Sequence, residues 1–187
     1  MTTLSKRDRL VEAAKTMFYQ QGVTRSTLAE IAQQAQVPLG NVYYHFRTKE
    51  ALIEAVIQVH VQELEAMFAG WEQQYTDPRR RLVALLAMGL EEGKMLARYG
   101  CPHGSLCQEL DKDDNQLSRI AATLFQVYLD WTQLQFHLLG TTQQEANDLA
   151  VDLISSLQGI YLLTNSFRSP ELLNRKLHRL ETWICAL

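Results

Sequence analysis

The chain has 187 residues, 47% of them hydrophobic and 21% charged, with a formal net charge of −3. That is enough length for one or two packed domains. No apolar run is long enough to span a membrane, and the opening MTTLSKRDRLVEAAK lacks a signal-peptide core, so neither secretion nor membrane insertion is expected. The charge is unevenly placed. Residues 1–50 hold seven Lys/Arg against four Asp/Glu, and the remainder holds eleven against seventeen. A basic head on an acidic body fits a protein that meets a polyanion with one end only. Three cysteines (Cys101, Cys107, Cys185), an odd and low count, point to the reducing cytoplasm.

The first predicted helix runs from Lys6 to Gln21. Ser5 with Asp8 offers its cap, Leu10, Ala13, Ala14, Met17 and Phe18 form a buried stripe, and Gly22 is its stop. The second runs from Leu28 to about Ala35. Thr27 and Glu30 form a capping box, and Leu28, Ile31, Ala32 and Ala35 fall on one face. The third runs from Pro38, in its first turn, to Tyr44. It buries Val42 and the ring of Tyr43, leaving Leu39, Gly40, Asn41 and Tyr44 outward. Two short helices so closely joined have the shape of a helix-turn-helix.

Thr48 caps a long fourth helix that reaches Tyr75. Asp77-Pro78 opens a fifth, expected to continue to Tyr99. Gly100-Cys101-Pro102-His103-Gly104 breaks the pattern. A short helix from Ser105 to Leu110 follows, then a charged turn at residues 111–114. A seventh helix spans about Asn115 to Leu139, with Gly140 after it. A second capping box, Thr142 with Glu145, opens the eighth helix, to Phe167. Ser169-Pro170 opens the ninth. No strand alternation persists, so the expected fold is all-α with about nine helices.

The stretch GVTRSTLAEIAQQAQVPLGNVYYHFRTKEAL, Gly22 to Leu52, resembles the signature of the TetR family of bacterial transcriptional regulators. The runs Tyr43-Tyr44-His45-Phe46 and Lys49-Glu50-Ala51-Leu52 carry most of the likeness. Two departures stand out: Gln36 occupies the turn where relatives usually have glycine, and Pro38-Leu39 opens the helix where many carry a polar or basic pair. The resemblance implies a helix-turn-helix DNA-binding domain at 1–48 and a helical effector-binding and dimerisation domain at 49–187. It implies phosphate contacts from Thr27, Tyr43, Tyr44, His45 and Lys49, and base-edge contacts from Leu39, Gly40 and Asn41. The expected partners are (pseudo)palindromic double-stranded operator DNA, a small lipophilic or aromatic effector and a second copy of the chain.

Aromatic and Met residues crowd helices four to seven. Trp71, Tyr75, Met88, Met95, Phe125, Tyr128 and Trp131 are the candidate effector lining, because in the family these helices enclose the cavity. Leu173, Leu177, Leu180 and Ile184 follow near-heptad spacing, and with Leu153 and Leu157 are the candidate dimer seam. The same spacing suits a seam buried within one chain. Cys101, His103 and Cys107 are too few for a structural zinc site, so no metal is expected. Cys101 and Cys107 are instead candidates for a thiol switch. No Walker loop, GxGxxG, HExxH or GxSxG appears, so neither catalytic residues nor a cofactor are expected. The leading reading is a ligand-released repressor. Its rivals are the same fold switched by cysteine modification, and a helical protein-binding adaptor without DNA binding.

Overall fold

A computed structural model describes residues 4–112 and 116–187. Ten α-helices and no strand occur among the described residues. They are α1 (Lys6–Gln21), α2 (Leu28–Gln34), α3 (Leu39–His45), α4 (Lys49–Gln74), α5 (Pro78–Glu91), α6 (Gly93–Tyr99), α7 (Pro102–Leu110), α8 (Gln116–Leu138), α9 (Gln143–Phe167) and α10 (Pro170–Ala186). The end of the expected charged turn and the expected start at Asn115 lie outside the described residues. The chain divides into two compact units, Met1–Gln62 with Pro102–Leu124, and Glu63–Cys101 with Phe125–Leu187.

In the first unit α1 packs against α2, α3 and α7. Its core holds Leu10, Ala14, Phe18, Ile31, Val42, Phe46, Leu52 and Val56. Caps form where local chemistry predicts them. The Ser5 hydroxyl accepts from the Asp8 amide, and both bonds of the Thr27–Glu30 capping box are present. Pro38 is the N-cap of α3 and lies just outside it. Gln36, in the turn, has φ 54°, a left-handed conformation that costs a non-glycine residue about 1 kcal/mol.

In the second unit α9 packs on α6, and α10 on α5, α6 and α9. The expected fifth helix is divided in two. Glu92, at φ −86° and ψ 5°, ends α5 and begins α6. The cause is tertiary. A Cβ on Gly89 would stand 2.5 Å from the Tyr161 hydroxyl, and one on Gly93 would stand 3.2 Å from a Leu173 methyl. Two glycines one turn apart thus let α9 and α10 approach closely, and they weaken the helix where it breaks. The expected irregular segment at 100–104 is also shorter. Gly100, at φ 85°, ends α6, and α7 already begins at Pro102.

Replacing Gln36 with Gly puts at φ 54° the residue that tolerates it without strain. The expected outcome is a gain of about 1 kcal/mol, read as a raised urea midpoint with unchanged slope.

Candidate functional site

The helix-turn-helix presents one exposed edge. Tyr44 is 84% exposed, Tyr43 54% and Leu39 43%. Tyr43 therefore does not bury its ring as the spacing predicts. Val42 and Phe46 fill the inner side of the seven-residue α3, and Tyr43 is left outward with Tyr44. Gly40 has nothing within 4 Å of where a Cβ would stand, so internal packing does not demand a glycine there. Asn41 is half-buried. The Tyr44 and His45 rings meet edge to face at 5.1 Å. The Thr27 hydroxyl serves the capping box, donating to Glu30 Oε2 at 2.7 Å.

Lys49 does not stand free toward solvent. Its Nζ donates to the Val23 carbonyl at 2.5 Å, from the first turn of α4. The same α1–α2 loop is held from α7. The Glu109 carboxylate accepts from the Val23 amide at 2.7 Å and from the Thr24 amide at 2.6 Å. Sequence reasoning missed Glu109 altogether. It lies 86 residues from Val23, and no local pattern marks it. Burial pushes the Glu109 carboxyl up, but hydrogen bonds from the Thr24 side chain and from the Thr24 and Val23 amides, with nearby Lys112, bring it below the usual carboxylate range.

Behind this edge, His103 and Cys107 are core residues. His103 Nε2 lies 3.3 Å from His60 Nδ1, and burial with nearby His60 and Lys15 lowers its pKa to about 3, so it stays neutral. Cys107 is 4% exposed and donates its S–H to the Ala121 carbonyl at 3.3 Å. Its candidacy as a switch thiol fails on access, since oxidants and electrophiles need an exposed thiolate. Cys101 is half-buried, 3.7 Å from Gln158 Nε2, and Cys185 is exposed.

The second unit gathers only part of the expected effector lining. Phe68 and Trp131 stack at 4.3 Å, with Tyr128 edge-on to Phe68 and Trp71 tilted against Trp131. Phe125 joins through Tyr128. Tyr75 lines a separate cavity of about 430 Å³, with Arg79, Arg80 and Cys185. Met95 is 41% exposed on α6. Trp131 lines a different cavity, with Phe68 and Leu134.

The candidate dimer seam is corrected. Leu153, Leu157, Leu173, Leu177 and Ile184 are 0–3% exposed within the single chain. Leu180 is half-buried. These residues hold α9 and α10 onto the body. The apolar residues that α9 leaves exposed are Val151, Leu162, Leu163 and Phe167.

Residues 10–56 match the family model described as bacterial regulatory proteins, tetR family. The repressor DhaR of Mycobacterium sp. (strain GP1) is 30% identical over 179 residues, covering 90% of this chain and 87% of DhaR. The chain belongs to the TetR family. Another TetR-family relative, the repressor KstR2 of Mycolicibacterium smegmatis, is 31% identical over 87 residues, and that match spans only 42% of KstR2. A TetR transcriptional regulator from Legionella pneumophila has the same fold, with TM-score 0.86 and 18% identity over 97% of this chain and 98% of that one. Within the TetR family this chain is thus a DNA-binding transcriptional regulator. No described helix is long and apolar enough to cross a membrane.

Glu109→Gln keeps the size of the side chain but weakens acceptance from two amides. It is expected to lower stability by about 1 kcal/mol, discounted for partial exposure. Because the folded pKa is lowered, the Glu109 contribution is fully present above the ordinary carboxylate range and is lost as pH falls through the folded value. Urea titrations of both proteins should differ at pH 7 and converge as the pH falls below the ordinary carboxylate range. A constant difference across that range would remove the carboxylate from the loop's support.

Proposed function

We propose that this regulator is a homodimeric repressor, released from a (pseudo)palindromic operator by a small effector bound in residues 49–187. The observation that carries the DNA-binding part is the edge of α3. Leu39, Tyr43 and Tyr44 are large, apolar or aromatic and exposed, beside a glycine that nothing internal requires. In this reading Leu39, Gly40 and Asn41 approach base edges, and Thr27, Tyr43, Tyr44 and His45 hold phosphates. Lys49 sets the α1–α2 loop through Val23 and reaches a phosphate only by leaving that carbonyl. Fluorescence anisotropy on an operator selected from random duplexes tests the reading. Tyr44→Ala, at an 84% exposed position, should leave stability within about 0.5 kcal/mol and weaken binding about tenfold or more. Gly40→Ala should raise helix stability by about 0.5–1 kcal/mol while weakening binding, because a methyl now stands at the groove. Undiminished affinity in both variants would sink the α3 assignment.

The exposed row on α9 supports the dimer. Val151, Leu162, Leu163 and Phe167 are large apolar residues that the single chain leaves 45–68% exposed, the kind of surface that marks an interaction site. Family dimers would then pair through this side of α9, with α10 in support, while Leu173 and Leu177 stay internal. Leu162→Glu should give folded monomers by analytical ultracentrifugation. Leu177→Glu, at a position 1% exposed, should unfold the chain instead, because an unpaired buried charge costs several kcal/mol. A Leu162→Glu protein that sediments as a dimer would place the interface elsewhere.

A further inference from the structure

The groove between α4 and α8, in the second unit, has a composition that the regulator reading does not use. It encloses about 340 Å³, within the range usual for small-molecule sites. Each helix gives it one face at the same spacing. Glu65, Phe68, Ala69 and Glu72 come from α4, and Val127, Asp130, Trp131 and Leu134 from α8, each set at i, i+3, i+4 and i+7. The floor is the edge of the Phe68–Trp131 stack, whose planes lie within 8° and whose side chains are only 3% and 8% exposed. Leu134, 47% exposed, extends the apolar surface outward.

The rim is anionic. Three of the eight lining residues are carboxylates and none is Lys, Arg or His. Glu72 is fixed in place, its Oε1 accepting from the Trp131 indole N–H at 2.9 Å. Asp130 Oδ1 accepts from the Gln126 amide at 2.7 Å. Both carboxylates thus take a neutral donor. Arg81, on α5, is taken up by other acceptors. Its guanidinium points to the Tyr75 and Glu72 carbonyls and to Gln135 Oε1, none of which is a carboxylate.

Exposed carboxylates alone would be a solvated helix face. An anionic rim around an aromatic floor is more selective. A neutral apolar guest would leave the rim unused, an anion would be repelled, and a simple inorganic cation would gain nothing from the floor. We propose that this groove binds a small organic cation with an aryl or alkyl body, its charged head among Glu65, Glu72 and Asp130 and its body on the Phe68–Trp131 edge. Binding stands on the groove alone. Only the further step, that the cation is the effector, rests on the regulator reading.

The test uses the full chain, the quaternary cation benzyltrimethylammonium, and its neutral carbon isostere neopentylbenzene. Tryptophan fluorescence reports on the floor, and calorimetry gives the affinity independently. The cation should bind saturably, about tenfold or more tighter than the isostere, and more weakly as salt rises. The Glu65→Gln, Asp130→Asn double variant changes two exposed side chains and should lose most of that preference. Equal affinity for cation and isostere, no saturable binding of the cation, or a folded double variant with undiminished preference would each overturn the site. If the double variant does not fold, the isostere and salt comparisons on the unaltered chain decide. Operator anisotropy in saturating cation separates the two readings. Release supports the cation as effector, whereas binding without release supports the groove and overturns only that role.

Discussion

The helix-turn-helix depends on how one short loop is held. Between α1 and α2 the chain must turn at Gly22 and be ready, at Thr27, to begin a new helix. The loop has polar groups to satisfy and one apolar core side chain, Val23. Charge-assisted hydrogen bonds do the rest. Glu109 takes two successive amides and Lys49 takes the carbonyl between them. Ser26, fully buried, donates to the Gly22 carbonyl and receives the Gln21 side chain. With the loop fixed, the start of α2 is fixed. With α2 fixed, α3 has a surface to lean on. A carboxylate on α7 and an ammonium on α4 thus decide where the exposed side of α3 points.

What could be read from the sequence follows from the range of each cause. Both capping boxes, Thr27 with Glu30 and Thr142 with Glu145, act over three residues, and both form as the spacing predicts. The ends of α1, α9 and α10 are similarly local. The break at Glu92 is not, because its cause lies in Tyr161 and Leu173 closing on two glycines. Glu109 is further beyond reach, since nothing within ten residues of it indicates Val23. Periodicity carried its own ambiguity. Near-heptad leucines on α10 show which side is apolar, but the pattern is the same whether that side meets a partner or the chain's own α5 and α6. Tyr43 was misplaced for a related reason. In a seven-residue helix the apolar stripe is barely two residues long, and Val42 with Phe46 already occupies it.

Helix α9 is apolar on two sides. Leu153, Leu157, Ile160 and Tyr161 face the interior, while Val151, Leu162, Leu163 and Phe167 do not. A helix that follows one amphipathic stripe needs one partner, and a helix apolar on two sides needs two. The body supplies the first through α6 and α10. Burial of the phenols is part of that contact: Tyr161 reaches Gly89, and desolvation keeps both Tyr128 and Tyr161 protonated well past neutrality. The inner side is therefore complete without a second chain, and what remains exposed is available for one.

The edge of α3 is the least self-sufficient part of the fold. Seven residues are too few to form a stable helix alone, and the N-cap of α3 is a proline, which offers no side-chain cap. It also follows Gln36, whose left-handed backbone works against the turn. Its order must come from below. Val37, Val42 and Phe46 are each under 5% exposed, and the Arg7 guanidinium lies 5.2 Å over the Phe46 ring, tying α1 to the end of α3. The side chains exposed on this edge and those that hold it in place are therefore different residues of one short segment. Leu39, Gly40 and Asn41 can change without disturbing that support, while a change at Val42, fully buried, would loosen the whole segment.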